Sequence, residues 1–376
     1  MPRMLKKYLL LILSICTSYF SQGQTTVDST VKGKWKLNGY GEMYFGLNRQ
    51  TLRGQHSSDF QYNHIKTNQV AINQSYIGID HERRNIRAGI ALHTGTYVKS
   101  NYSNEKPLLQ TIYKAHIGMR ISQKKDAWLE AGIFPSYIGF EGVNAFDNAA
   151  LTRSLLAENS PYFLSGLKAN YLLSPKNEIV VYLLTGWQRI APQKGNSLPS
   201  FGWQWIHKST DKSKVNWSSF IGSDNPDSIR KWRYFNNFFW QFEKGNWACT
   251  IGLDVGLEQK ERKSKSFYAW YSPVIITQYT FNEKWKSAFR IERYSDPDQV
   301  ITKPTNGVAV LANSQSINTD FHPARGVICR AEWRIFQARE PIFRTENGYS
   351  KHASLLTLST AVQLNTDLKK RPRLGP

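Results

Sequence analysis

Polar and apolar residues alternate through a series of short segments from about Lys34 to Leu364. Successive side chains of a β-strand point to opposite faces, so each segment reads as a strand with one apolar and one polar side. In KWKSAFRIERY, Trp285, Phe289 and Ile291 share one side, while Lys286, Arg290 and Glu292 share the other. VICRAEWRIF repeats this: Val327, Cys329, Ala331, Trp333 and Ile335 alternate with Arg330, Glu332 and Arg334. Strands are expected over Lys34 to Asn48, Gln69 to Asp80, Asn85 to Lys99, Thr111 to Ser122, Ala127 to Gly139, Leu311 to Arg325 and Ala353 to Leu364. Small polar turns lie at His81-Glu82-Arg83-Arg84, Gln123 to Asp126, Ser174 to Asn177, Thr210 to Ser213, Lys244 to Asn246 and Asn282 to Lys284. Between them fall longer connections, the widest from Arg49 to Asn68 and from Phe140 to Pro161.

Short turns at one end and long loops at the other predict an all-β fold, a transmembrane antiparallel up-and-down β-barrel of about 16 strands. Its apolar side would meet lipid and its polar side a lumen. A soluble β-sandwich gives no reason to keep Trp, Phe and Ile opposite rows of charge. Trp35, Trp217, Trp247 and Trp285 each stand near the start of an upward strand on its apolar side, as a periplasmic aromatic girdle would. Trp128 has the opposite parity.

The N-terminus sets the compartment. Arg3, Lys6 and Lys7 precede an apolar run from Tyr8 to Cys16, and Ser21-Gln22-Gly23 supplies small residues for cleavage, so residues 1–23 read as a signal peptide. The run falls short of the ~20 residues of a membrane span. Residues 24–33 are then a short periplasmic segment, 34–364 the barrel and 365–376 a basic tail. Trp, Tyr and Phe make up 13% of the chain, which suits a barrel with girdles. Cys249 and Cys329 fall on the lipid side of separate strands and are expected to be free thiols. The formal charge of +21 becomes +18 (21 − 3) without the signal-peptide cations. The basic residues are scattered through strands and turns, and an exported barrel meets no genome, so nucleic acid is excluded as a partner.

Inward parity nominates pore-lining residues: Arg87, His93, Lys114, His116, Arg120, Glu130, Lys168, Lys286, Arg290, Glu292, Arg330, Glu332 and Arg334. With Glu42, Asp254 and Glu258 added, cations slightly outnumber carboxylates, which predicts mild anion preference. In the loop from Phe140 to Pro161, Asp147 or Asn148 can cap a short helix over Ala149 to Ala157 that Asn159-Ser160-Pro161 stops. Folded into the lumen, this loop would narrow it, and Glu141, Asp147, Arg153 and Glu158 are the candidate constriction residues. A helix that merely braces the wall is the alternative.

The segments AWLEAGIFPSYIGFE, LTRSLLAENSPYF with SGLKANY, LLTGWQRI, RIERYSDPDQVI and EPIFRTENGYS resemble the OmpL-like outer-membrane β-barrel porins from about Trp35 to Leu364. The resemblance implies a single-chain barrel with a pore, and no catalytic residues. Such barrels commonly end on an aromatic residue, which this chain does not. His93 before Thr94-Gly95-Thr96 is the nearest thing to a catalytic group, and inward parity with Arg87 makes it a pore-lining histidine instead. No Gly-x-Ser-x-Gly elbow, His-Glu-x-x-His helix or paired-cysteine site occurs, and no cofactor or metal is expected. The sequence thus predicts a porin of the bacterial outer membrane passing small hydrophilic solutes, with outer-membrane lipid and lipopolysaccharide around it and a homo-oligomer compatible with it. A structural or receptor barrel without an open pore, and more distantly a lipid-modifying barrel enzyme, are the competing readings.

Overall fold

A computed structural model describes residues 33–56 and 58–367, so the signal peptide, the segment before Gly33 and the tail beyond Asp367 lie outside the described residues. Sixteen strands form one closed antiparallel barrel. They are β1 (Lys34–Leu47), β2 (Val70–Arg83), β3 (Ile86–Thr94), β4 (Ile112–Arg120), β5 (Ala127–Pro135), β6 (Phe163–Ser174), β7 (Asn177–Leu184) and β8 (Ser200–Thr210) in the first half. The second half contains β9 (Ser213–Gly222), β10 (Arg233–Lys244), β11 (Trp247–Gln259), β12 (Phe267–Thr280), β13 (Trp285–Asp296), β14 (Val310–Ala324) and β15 (Val327–Ala338). A small hairpin, β16 (Phe343–Thr345) and β17 (Gly348–Ser350), decorates the last long loop before β18 (His352–Asp367). Strand β18 pairs with both β15 and β1, which leaves no open edge.

The alternation sets the faces. Along β13, Phe289 and Ile291 are exposed on the outer wall, while Arg290 and Glu292 are buried inside, and β15 shows the same parity. Trp35, Trp217, Trp247 and Trp285 all stand exposed on the outer wall. Cys249 and Cys329 are free thiols on separate strands.

Several boundaries differ from the sequence reading, among them the end of β2, which runs on to Arg83 through the expected turn at His81. Strand β3 ends at Thr94, not Lys99, because Gly95 takes φ +138° where a Cβ would lie 2.2 Å from the Asn73 carbonyl oxygen, and helix α1 (Thr96–Asn101) follows. Strand β5 stops at Pro135, where the chain turns inward. Strand β18 continues to Asp367, so Asn365 belongs to the barrel and not to the tail: it pairs with Asn38, and Asp367 with Lys36. Its three added residues are all polar, and the apolar alternation that marks a lipid face cannot register them.

The interior is not polar throughout. Phe60, Leu155, Tyr294, Val310, Phe336 and Phe343 pack together where long loops fold into the barrel. A second cluster, including Leu184, Phe220, Phe235 and Trp270, covers part of the opposite wall.

Candidate functional site

The loop between β5 and β6, residues 136–162, folds into the barrel, and residues 150–162 are buried without exception. Its helix is shorter than the sequence suggests: α2 spans only Leu155–Glu158. Ser154, not Asp147 or Asn148, caps it by accepting from the Ala157 N–H. Upstream, Ala145–Asp147 forms a single 3-10 turn. A buried stretch with so little regular structure must find partners for its backbone N–H and C=O groups elsewhere.

The barrel wall supplies them. Glu332 accepts from the Thr152 N–H at 2.5 Å and the Thr152 hydroxyl at 2.7 Å. Glu292 accepts from the Leu155 N–H at 2.6 Å, and Asn318 accepts from the Leu151 N–H at 3.2 Å. Arg330 donates to the carbonyls of Ala145, Asn148 and Ala150, while its ion pair with Asp320 spans 2.7 Å. Arg290 donates to the Thr152 carbonyl at 2.6 Å and pairs with Glu332 at 2.6 Å and Glu292 at 3.1 Å. Arg334 completes the set through Glu292 at 2.5 Å and the Arg153 carbonyl at 3.0 Å.

These wall residues were expected to face pore water. Arg290, Glu292, Arg330, Glu332 and Arg334 instead lie under the loop, with Arg290 fully inaccessible to solvent. Counting Asp320, three arginines and three carboxylates cancel. Charges so far from water persist only when paired and hydrogen-bonded, and the loop backbone completes that requirement.

Of the four expected constriction residues, three are fastened within the loop framework. Glu141 accepts from the Ser154 N–H at 2.9 Å. Arg153 donates to the Tyr97 hydroxyl at 2.7 Å and lies 4.9 Å over the Tyr162 ring. Glu158 accepts from the Tyr62 N–H at 2.7 Å. Only Asp147 is exposed.

Burial in the packed loop pushes the Glu158 carboxyl up to about 7, from an ordinary 4.5, with Arg153 opposing the shift. A raised carboxyl favours the protonated form of the seated loop. Seat stability is therefore full below pH 4.5, declines as pH rises from 4.5 to about 7, and is level above that. The protection factor of the amides across residues 153–158, the intrinsic exchange rate at each pH divided by the observed one, is expected to rise on acidification through that window, and Glu158→Gln should flatten it. An unchanged pH profile in that variant would assign the effect elsewhere.

The other nominated residues form a second interior group. Glu130 receives Arg87 at 2.5 Å and Lys168 at 2.6 Å, with His116 at 3.6 Å. Lys114 pairs with Asp80 at 2.6 Å, and Arg120 stands 3.5 Å from Asp126. The Trp128 ring lies between the Arg87 and Arg120 guanidiniums, at 4.4 and 4.9 Å. His93 is buried, its Nδ1 accepting from the Gln74 amide at 3.3 Å and its Nε2 facing the Gln110 carbonyl at 3.1 Å.

A cavity of about 470 Å³ opens beneath the loop toward the short-turn end. Lys208, Lys212, Lys214 and Lys286 line it with Asp147, Asp211 and Glu243. Lys286 stands inside as its parity predicts, whereas parity nominates neither Lys208 nor Lys214. The tight turn Thr210 to Ser213 alone would set Ser209 opposite Lys214, and a one-residue register shift between Lys208 and Thr210 makes Lys208 and Lys214 direct cross-strand partners on the inner face. Lys214 also lines a second cavity of about 320 Å³ with Lys168, Gln204 and Asn216.

A closed sixteen-stranded barrel with a lipid-facing apolar belt and a loop folded into a partly polar lumen defines an outer-membrane porin, a passive-diffusion channel for small hydrophilic solutes. The chain belongs to the family described as beta-barrel porin-2, OmpL-like, whose model matches residues 34–364. It resides in the bacterial outer membrane. No curated protein sequence matches it. Among solved structures it is similar to the trimer form of OmpT from Vibrio cholerae, with TM-score 0.56 and 8% identity over 88% of this chain and 99% of that one. The anion-selective porin from Comamonas acidovorans gives TM-score 0.54 at 5% identity over 89% and 99%. OprB from Pseudomonas putida gives 0.53 at 11% identity over 89% and 94%. These likenesses are of fold.

Proposed function

We propose that solutes pass between the inward loop and the wall of β6 to β13, and that this path mildly prefers anions. One observation carries the reading. The wall charges under the loop are internally neutral, whereas Lys208, Lys212, Lys214 and Lys286 line the cavity and form no ion pair among the described residues. Fixed positive charge on low-dielectric walls enriches anions and repels cations. Glu141, Asp147, Asp211 and Glu243 line the same cavity and equal the four lysines in number, so the preference rests on the placement of Lys208 opposite Lys214 and is mild.

Reversal potential across a potassium chloride gradient tests this. Wild type is expected to favour chloride, and Lys208→Glu with Lys214→Glu and Lys286→Glu should turn the barrel cation-selective. Clear cation selectivity in wild type would transfer control to Asp147 and its neighbours. A homo-oligomer in which each barrel conducts separately belongs to this reading, and the similar OmpT of Vibrio cholerae takes a trimer form. So does function without catalysis, since both His93 ring nitrogens have partners other than a serine.

The packed loops in the extracellular mouth favour a second reading, a structural or receptor barrel without an open pore. Absence of any conductance from the folded protein in planar bilayers would select it.

A further inference from the structure

Lys208 and Lys214 face each other directly across the β8–β9 pair, both on the inner wall. Directly opposed residues of an antiparallel pair have Cα atoms roughly 4.5–5.5 Å apart. Like charges in that position destabilise a sheet, and although Asp211 and Glu243 line the same cavity, no carboxylate comes within ion-pair distance of either lysine among the described residues. The arrangement is also held in place. The Lys214 ammonium lies 5.1 Å over the Phe239 ring, which braces it from one side. Gln241 and Thr250 line the same 470 Å³ cavity and supply neutral hydrogen-bonding groups beside the two cations. Gln241 pairs directly with Lys214, so its amide stands on the adjoining strand at the same level.

Two lysines rooted opposite each other, one of them lying over an aromatic ring, with an amide and a hydroxyl lining the same cavity, match a compact anion carrying two charges on one centre. We propose that the Lys208–Lys214 pair is a binding site for a phosphate-class dianion at the short-turn mouth of the lumen. A tetrahedral oxyanion offers acceptor oxygens to both ammoniums at once and removes the repulsion that the empty pair carries, which a single halide does with half the charge. Lys214 also lines the second cavity, so an anion held here stands where the two spaces meet. Occupancy therefore couples to conduction. This deepens the anion-preferring path and rests on it only for that coupling; the site itself requires no current.

The test uses inorganic phosphate, buffered above its second ionisation, added to the refolded full-length barrel in potassium chloride. Chloride conductance is expected to fall saturably with phosphate, and acetate at equal concentration should leave it unaffected. Lys208→Gln with Lys214→Gln should raise the half-blocking concentration by about tenfold, the loss of one good charge-assisted contact or more. Glycerol phosphate separates the sources: equal potency assigns the site to phosphate groups in general, and weaker block assigns it to free phosphate. An anion-preferring current that phosphate does not block in wild type, or blocks equally in the double variant, overturns the site and leaves the channel reading standing. Where no current is seen, phosphate titration calorimetry in detergent decides: saturable heat in wild type that is absent from the double variant supports the site, and equal or no heat overturns it.

Discussion

Replacing Asn148 to Glu158 by a short Gly-Ser linker is expected to raise single-channel conductance severalfold, with the barrel still closed. The loop's share of the lumen would fill with water. The wall residues it covers, Arg290, Glu292, Arg330, Glu332 and Arg334, would become hydrated and keep their mutual ion pairs. Closure depends on pairings between neighbouring strands, culminating in β1 with β18, and none of these involves the loop. Conductance and heat-modifiable migration in gels should be read on the same preparation. An assembled variant with wild-type conductance would place the loop outside the permeation path.

Glu332→Leu should unseat the loop without shortening it. The carboxylate serves the Thr152 N–H, the Thr152 hydroxyl and Arg290 together. Its removal leaves a buried guanidinium underpaired and a backbone donor unmet, a defect of about 3–5 kcal/mol for a broken buried pair. That is at least a hundredfold change between seated and released loop, since each 1.4 kcal/mol is about a factor of ten. Hydrogen exchange at residues 150–156 should accelerate accordingly, with current noise rising in step. Glu332→Gln retains an acceptor oxygen for one of the two partners and should fall between the two. Exchange in Glu332→Leu as slow as in wild type would mean that the loop is held by its apolar contacts, with Leu155 and Leu156 at the centre, and not by the ionic seat.

The barrel was legible because its code is local. Parity along KWKSAFRIERY and VICRAEWRIF assigns every side chain to a face, and turn chemistry sets which strands are neighbours. What lies against a face is a different matter. Parity alone does not distinguish Arg290 in water from Arg290 under a loop, because both require a polar inward position. The arginine–glutamate spacing on β13 and β15, set beside a loop rich in backbone groups without regular partners, is the signal that joins them. It becomes readable only when the loop is allowed to fold back. Lys208 and Lys214 were hidden for a simpler reason: IHKST and SKVNW are short of contrast between faces, and only the one-residue register shift beside their turn, which parity cannot foresee, sets the two lysines opposite each other.

Every wall partner of Thr152 and Leu155 is encoded well over a hundred residues after the loop: 137 for Glu292 with Leu155, and 180 for Glu332 with Thr152. Contacts that distant in sequence form slowly, and these cannot form at all until β13 to β15 exist and stand opposite. Until those strands are in place the loop has no ionic seat, and any barrel that closes before it docks has wet arginines and glutamates. Insertion into the bilayer and docking of the loop are thus separable events, and a barrel inserted but not yet docked would leak more than the finished one.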